Sequence, residues 1–454
     1  MKLNEYVEKK YGDNSTWFAN EVTDTWHTKR ILDTLDKQEY LDGHHDILKR
    51  PDIMWKGQSF ETRKIVLQLV KPIISFQRSF LLKNPATLIS DDTPTLERYK
   101  EVYRKGKYND LNNELLGQLI KYGEVYEYLY VSDNRNIKSE LINRADAYPI
   151  YNDKGEYVGF IKHYMVESIS YYVVYSHDTV QEWSNEGGDF HLIGEWVNLT
   201  GLPVRYILPS DTDKFTGRSD LDDYINIIDN MEDLISKTTD SLYKFINPIP
   251  VVTGQKLSTR AGEGGISPEM VGNTIQLEMG SEFDFATAEV DSEAFQTLFD
   301  TLYAQLMAIS STPSVAMGGS EVANLSETSL RILFYMALAK ANNTSTILRN
   351  GFDERYKKIK QLINLIDGVE YVGYIDTLFN FDVPSNEQEI TNNLKTHREA
   401  GLISTQTAME QSPYVSDALR EMELIKKEQL EETEMVFGAM SKTSHEPTVN
   451  EKVK

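Results

Sequence analysis

Cysteine is absent from all 454 residues, so disulfides, thiolate metal sites and thiol nucleophiles are excluded. Basic residues are in deficit. The chain has 47 Lys and Arg against 70 Asp and Glu, a net charge of −23. This argues against a conventional DNA reader that neutralises phosphates with a basic surface, and not against a wall past which DNA slides. No apolar run reaches the roughly 18 residues of a membrane-spanning helix. The opening Met1-Lys2-Leu3-Asn4-Glu5 carries no apolar signal core. No G-x-x-x-x-G-K-[ST], H-E-x-x-H or G-x-S-x-G pattern occurs. The expectation is a soluble protein made in a reducing cytoplasm.

What is present suffices for sizeable cores: 40% of residues are hydrophobic and 11% aromatic. The length corresponds to about three domains' worth of chain. The first 120 or so residues read as helical. Ile65, Leu69, Ile73, Phe76 and Phe80 predict a helix over 61–82 that Pro72 kinks or breaks. A further helix is expected over 95–121. Residues 122–175 then hold 11 of the 26 tyrosines, with Val and Ile between them. Strands are expected at 125–131, 171–175 and 190–197, with a turn at Asn152-Asp153-Lys154-Gly155 and a loop at 185–188. The region 122–210 therefore reads as an antiparallel sheet.

Helical spacing returns with Leu221, Tyr224, Ile225, Ile228, Met231, Leu234 and Ile235. This stretch also carries Asp220, Asp222, Asp223, Asp229, Glu232, Asp233 and Asp240, opposed only by Lys237 and Lys244. Pro248 and Pro250 end it, and glycines punctuate 250–290 as in a small inserted module. A second helix places Phe295, Leu298, Phe299, Leu302, Leu306 and Ile309 on one stripe. The breaker-rich loop 312–320 follows, then a helical pattern over 330–366, capped by Asn324 or Ser326, with a kink expected at Asn342-Asn343-Thr344. Residues 386–438 form a last helical unit broken at Gly401 and Pro413. The fold class is mainly helical α+β.

Residue types single out no catalytic pair. His44-His45-Asp46 is the only dense group of metal-capable residues, and it reads as a structural polar loop. The carboxylates of 219–246 read as a solvated helix face. A glycine loop at 317–320 lacks the lysine of a phosphate cradle. From residue types alone, a hydrolase with an unrecognised carboxylate site stays open as an alternative.

The order of segments carries more. Tyr40-Leu41-Asp42-Gly43-His44-His45-Asp46-Ile47 has the form Tyr-x-x-Gly-x-His-x-Ile. Tyr122-Gly123-Glu124-Val125-Tyr126-Glu127 and Ala147-Tyr148-Pro149-Ile150-Tyr151 follow as strand segments. Gly217-Arg218-Ser219-Asp220-Leu221 opens the acidic helix, and Thr312-Pro313 precedes Gly318-Gly319. Gly401-Leu402-Ile403-Ser404-Thr405-Gln406-Thr407 closes the series. In this order and spacing the chain resembles, over nearly its whole length, the portal proteins (head-to-tail connectors) of long-tailed bacteriophages of Gram-positive bacteria. One departure is local. Many relatives open the helix after the loop with Ser-Gly-x-Ala-Leu, where this chain has Gly319-Ser320-Glu321-Val322-Ala323-Asn324-Leu325.

The resemblance implies a portal fold: a wing over 1–218, stem helices at 219–249 and 291–311, and a small β-containing clip at 250–290. It also implies a channel loop at 312–326, a long helix returning to the wing over 327–385, a helical crown at 386–438 and a disordered tail at 439–454. It implies a ring of about twelve subunits at one capsid vertex, without catalysis, cofactor, metal or membrane. The implied partners are the terminase large subunit, a head-completion or adaptor protein, the major capsid and scaffolding proteins, and double-stranded DNA. The implied location is the virion, after assembly in the host cytoplasm. A different minor capsid or adaptor protein is the competing assembly role. The channel residues would be Ser314, Val315, Ala316, Met317, Gly318, Gly319, Ser320 and Glu321. Clip contacts would involve Lys256, Arg260, Glu263 and Glu269, and the stem acids would be Asp229, Glu232, Asp233 and Asp240. The charge balance generates a prediction: in a gel shift at physiological salt, duplex DNA binds weakly and without sequence preference. A tight, sequence-dependent shift would contradict it.

Overall fold

Three helices open the chain: α1 (Leu3–Tyr11), α2 (Trp17–Val22) and α3 (Thr25–Asp42). The structure is a computed structural model that describes residues 2–55, 58–210, 212–245, 249–254, 279–286, 292–318, 327–381, 387–412, 414–415, 418 and 420–428. It divides into two units, Met1–Gly319 with Tyr335–Asp382, and Ser320–Phe334 with Val383–Lys454. Asp24 caps α3 by accepting the Trp26 N–H at 3.0 Å, and Gly43, at φ 100°, ends it in the left-handed conformation. The buried face of α3 is polar. His27, Arg30, Thr34 and Lys37 are at most 3% exposed, whereas Leu32 and Leu35 face outward.

Strands β1 (Ile53–Trp55) and β2 (Gln58–Phe60) form a small antiparallel pair. The helix expected over 61–82 is confined to α4 (Val70–Leu82). The main-chain donors of 63, 65 and 67 are taken by side chains of a later helix, which holds this stretch out of helical conformation. Pro72 sits in the first turn of α4, where its missing N–H costs nothing. After β3 (Thr87–Ile89), the helix expected over 95–121 is two helices, α5 (Thr93–Gly106) and α6 (Tyr108–Tyr122). Lys107, left-handed at φ 54°, separates them.

Residues 122–210 form two antiparallel sheets rather than one. β4 (Glu124–Val131), β5 (Ile137–Ile142) and β11 (Val204–Ile207) make the order β11-β4-β5. β6 (Ala147–Tyr151), β7 (Tyr157–Val166), β8 (Ile169–Tyr175), β9 (Thr179–Ser184) and β10 (His191–Val197) make the order β10-β9-β8-β7-β6. The expected turn at 152–155 joins β6 to β7, with Gly155 at φ 77°. Pro149 lies on the edge strand β6, where a missing donor is tolerated. Strand β9 was not anticipated. Alternation assigns the two faces of the larger sheet. Tyr148, Ile150, Ile161, Tyr172 and Val174 pack with Leu3, Tyr6, Phe18 and Val22 of α1 and α2. Ala147, Phe160, Val173 and Tyr175 pack with Tyr126 and Ile142 of the smaller sheet.

The remaining elements are α7 (Leu221–Phe245), β12 (Ile249–Thr253), β13 (Glu282–Ala286), α8 (Ser292–Ser310), α9 (Glu327–Leu333), α10 (Tyr335–Asp367), β14 (Asp376–Leu378), α11 (Glu387–Glu399) and α12 (Thr405–Glu410). The helical pattern expected over 330–366 is interrupted at Phe334. The helix runs uninterrupted through 342–344. Thr344, Ser345 and Thr346 donate their hydroxyls to carbonyls three or four residues back within it. Asn324, Ser326 and Pro413 lie outside the described residues. In the second unit, Gly401, at φ 72°, follows α11, and Ser404 caps α12 by accepting the Thr407 N–H at 3.1 Å.

Two buried charge centres hold the first unit. Glu124, on β4, accepts the Arg30 Nε–H at 2.9 Å and forms an ion pair with Arg144, whose Nε lies 2.9 Å away. Glu127, three residues on, takes Arg355 from α10 at 2.8 Å and the Tyr206 hydroxyl at 2.7 Å. Arg355 also donates to Asn112 Oδ1 at 2.6 Å, and neither Arg355 nor Glu127 is exposed at all. Replacing Arg355 by Met strands a buried carboxylate, so urea unfolding is expected to lose about 3–5 kcal/mol. An unchanged midpoint would contradict the account.

Candidate functional site

The helix α7 buries Leu221, Tyr224, Ile228 and Met231, as its apolar spacing predicts. Its acids are only in part a solvated face, since Asp222 and Asp223 are exposed whereas Glu232 and Asp240 are buried. Asp220 pairs with Lys340 at 2.5 Å, Asp222 with Lys37 at 2.8 Å and Asp223 with Arg218. Of the four candidate stem acids, Asp233 pairs with Lys237 one turn along and keeps partial exposure. The other three turn toward residues 40–67. Asp229 accepts the Tyr40 hydroxyl at 3.3 Å. Glu232 accepts the Leu67 N–H at 2.7 Å, and its Oε1 lies 2.6 Å from His45 Nδ1. Asp240 accepts the Arg63 N–H at 2.8 Å and pairs with Arg50 at 3.1 Å.

Ser236 completes the series by accepting the Ile65 N–H at 3.1 Å. Acceptors at 232, 236 and 240 thus meet donors at 67, 65 and 63, running in opposite directions. Side chains four apart on a helix rise about 6 Å, and alternate N–H groups of an extended chain repeat about every 6.8 Å. The two periods match closely enough for three successive rungs. Glu232 and Ser236 have no exposed surface. Burial pushes the Glu232 and Asp229 carboxyls above the usual carboxylate range, against hydrogen bonds that act to lower them. Burial, followed by the Asp229 charge, likewise raises the Tyr40 phenol.

Other segments singled out in the sequence also converge on the start of α7. Gly123, at φ 79°, abuts Gly217-Arg218, where a Cβ on Gly123 would lie 2.5 Å from the Arg218 carbonyl carbon. Leu208 donates to the Gly123 carbonyl at 2.8 Å, and Asp220 donates to the Ile120 carbonyl at 3.3 Å. Only a residue without a side chain fits there. At the far end of α7, β12 and β13 pair antiparallel and α8 returns against α7.

The described part of the expected loop is not free chain. Ser311, left-handed at φ 55°, ends α8, and the Thr312 N–H reaches back to the Met307 carbonyl at 3.0 Å. Thr312 and Pro313 are buried. Ser314, Val315, Ala316 and Met317 form one 3-10 turn closed by Gly318 at φ 94°, with Ser314, Ala316 and Gly318 exposed. Gly319, Ser320 and Glu321, and the clip candidates Lys256, Arg260, Glu263 and Glu269, lie outside the described residues. Sequence reasoning missed Ser236 and the role of His45. The recurrence of Glu232, Ser236 and Asp240 at four-residue intervals was the available signal.

The family model for the phage portal protein, SPP1 Gp6-like, matches residues 24–435. No curated protein matches the chain. Among solved structures, the chain is similar to one from the virion of a native gene transfer agent (GTA) particle, at 15% identity and a TM-score of 0.44, covering 74% of this chain and 87% of that one. It is similar also to chains from two GTA necks. The neck of the native particle, computed with C12 symmetry, gives 14% identity and a TM-score of 0.44, covering 74% and 88%. The neck of the empty particle, computed with C6 symmetry, gives 16% and 0.46, covering 74% and 88%.

The rungs on α7 make a local prediction. Ser236→Ala removes the acceptor for the Ile65 N–H at a cost of about 1 kcal/mol, a roughly fivefold faster amide exchange over 63–67. Hydrogen-exchange mass spectrometry reads this directly, and unchanged exchange would rule out the side-chain pairing.

Proposed function

This chain belongs to the phage portal protein family, SPP1 Gp6-like, and from that premise we propose that it forms a ring of about twelve subunits at one capsid vertex of a long-tailed phage of a Gram-positive host. Terminase packages DNA through the ring, head-completion and tail proteins attach to it, and the genome leaves by the same channel. The protein acts by assembly rather than by catalysis. The wing is 1–218 with the return of 327–385, α7 and α8 form the stem, the insertion carried by β12 and β13 is the clip, and 386–438 is the crown.

One observation supports this reading: among the described residues, the helix–ribbon–helix formed by α7, β12, β13 and α8 leaves part of an apolar stripe exposed. Leu306 of α8 is buried, but Leu298 and Ile309 on the same stripe are 49% and 40% exposed, and Leu242 near the end of α7 is 50% exposed. A neighbouring subunit is the surface that covers such a stripe. The net charge of −23 per chain suits the channel, because an acidic wall repels phosphates and leaves DNA free to move. The turn at 314–317 is the channel loop. Buried Thr312 and Pro313 anchor it, its exposed tip is small and uncharged, and no Lys or Arg occurs between 312 and 326.

Native mass spectrometry of the purified protein is expected to give the ring, and a 52.1 kDa species at all concentrations would overturn the reading. A thiol at Ser314→Cys is unique in this cysteine-free chain. It is expected to react with a bulky maleimide in empty rings and to be protected when DNA fills the channel. Equal labelling in both states would remove 314–317 from the channel.

A further inference from the structure

The group around His45 has a property that the rungs on α7 do not explain. Asp229 and Glu232 are three residues apart on α7 and so share a face. The Tyr-x-x-Gly-x-His turn brings His45 to them: Gly43 ends α3, and two residues later the chain delivers the imidazole against the helix. One ligand-capable atom each from His45, Asp229 and Glu232 lies within 4.8 Å of the others. The Tyr40 ring stacks on the His45 ring at 3.7 Å between centroids, and its hydroxyl holds Asp229. The ligand candidates are therefore oriented by a surrounding shell, as metal ligands are.

A second, independent observation points to a ligand. His45 is 1% exposed and Glu232 has no exposed surface, yet His45 Nε2 and Glu232 Oε2 make no hydrogen bond. Glu232 Oε1 is already engaged by both Leu67 and His45, so its second oxygen is left bare inside the protein. Among the described residues, no lysine or arginine forms an ion pair with Asp229 or Glu232, and nearby Asp46 spends its charge on Lys49 at 2.7 Å. Two carboxylates and one imidazole thus share a site at which His45 Nδ1, 2.6 Å from Glu232, is the one group able to offset their charge. A cation bound here would satisfy the buried Glu232 oxygen that has no hydrogen-bond partner and balance two carboxylates that share one imidazole.

We propose that His45, Asp229 and Glu232 bind a divalent transition-metal ion of the zinc class. An imidazole with two carboxylates favours such an ion over magnesium or calcium, which take all-oxygen shells. Tetrahedral zinc sets its ligand atoms roughly 3.4 Å apart, from metal–ligand distances of about 2.0–2.1 Å, so binding opens the 2.6 Å contact between His45 Nδ1 and Glu232 Oε1 and draws in the separations of up to 4.8 Å. A water completes the fourth position. The ion would rivet the His45 turn to the middle of α7. The inference stands on these residues alone and does not depend on the ring.

The test uses the full-length chain, stripped with chelator and dialysed. Titration calorimetry with zinc chloride is expected to show one equivalent bound per chain, and a melting curve is expected to shift upward with added zinc. Cobalt(II) in place of zinc is expected to give the visible absorption of a tetrahedral site. Asp229→Asn, at the half-buried position, should weaken zinc binding about tenfold or more, and Glu232→Gln should do the same while still accepting the Leu67 N–H. Asp233→Asn, one residue away and paired with Lys237, should leave binding unchanged. No stoichiometric zinc binding by the wild-type chain would overturn the proposal, as would equal affinity in Asp229→Asn and the wild type.

Discussion

Among the described residues the segment 63–67 pairs with no strand, and the N–H groups of Arg63, Ile65 and Leu67 are satisfied by side chains of α7 at 240, 236 and 232. This pairing of an extended chain with a helix is the constraint on which the first unit depends. A mismatch of about 0.8 Å per rung accumulates with each step, so the pairing cannot run long. The chain leaves it at Leu67 and enters α4 at Val70. Because Glu232 also engages His45, and Asp229 engages Tyr40, the end of α3, the extended segment and the middle of α7 are fixed by one set of acceptors.

Strand β4 performs the corresponding task on the other side of the unit. Glu124 and Glu127 are an odd number of residues apart, so they project to opposite faces of the strand. One face receives Arg30 and Arg144; the other receives Arg355. Neither pair adds much net stability over apolar residues of similar volume, since both charges are taken out of water. What they impose is position: α3 and α10 each have one arginine that must reach one buried carboxylate.

Regularly patterned elements were legible in the sequence. Helices α7 and α8, the turn at 152–155 and the tyrosine-rich strands followed from spacing and turn chemistry. The segments from 40–47, 122–127 and 217–221 were noticed for their order, and the structure brings them together around α7. What could not be read depends on remote partners. Ile65 and Leu69 are at helical spacing, but acceptors more than 160 residues away hold 63–67 extended. The inward face of α3 is patterned at His27, Arg30, Thr34 and Lys37, and hydropathy cannot mark a face whose buried residues are polar. Strand β9, with only Val180 and Trp183 as large apolar residues, is a strand because β8 and β10 flank it. The acids of α7 looked like a water-facing charge run because their partners lie at Lys37, Tyr40, His45 and Arg63.

Arg355 lies 228 residues beyond Glu127 in the chain. On a ribosome adding about 5–20 residues per second, some 10–45 seconds separate their emergence. Throughout that interval β4 carries a carboxylate whose counter-charge has not yet been made, so closing the smaller sheet over it is unfavourable. The Arg30 side is different, because Arg30 precedes Glu124 and is waiting when the strand appears. The larger sheet with α1, α2 and α3 can therefore settle during synthesis, while the face of β4 that receives α10 stays open until Arg355 has been made. The docking of α10 on β4 is thus the step that neutralises Glu127.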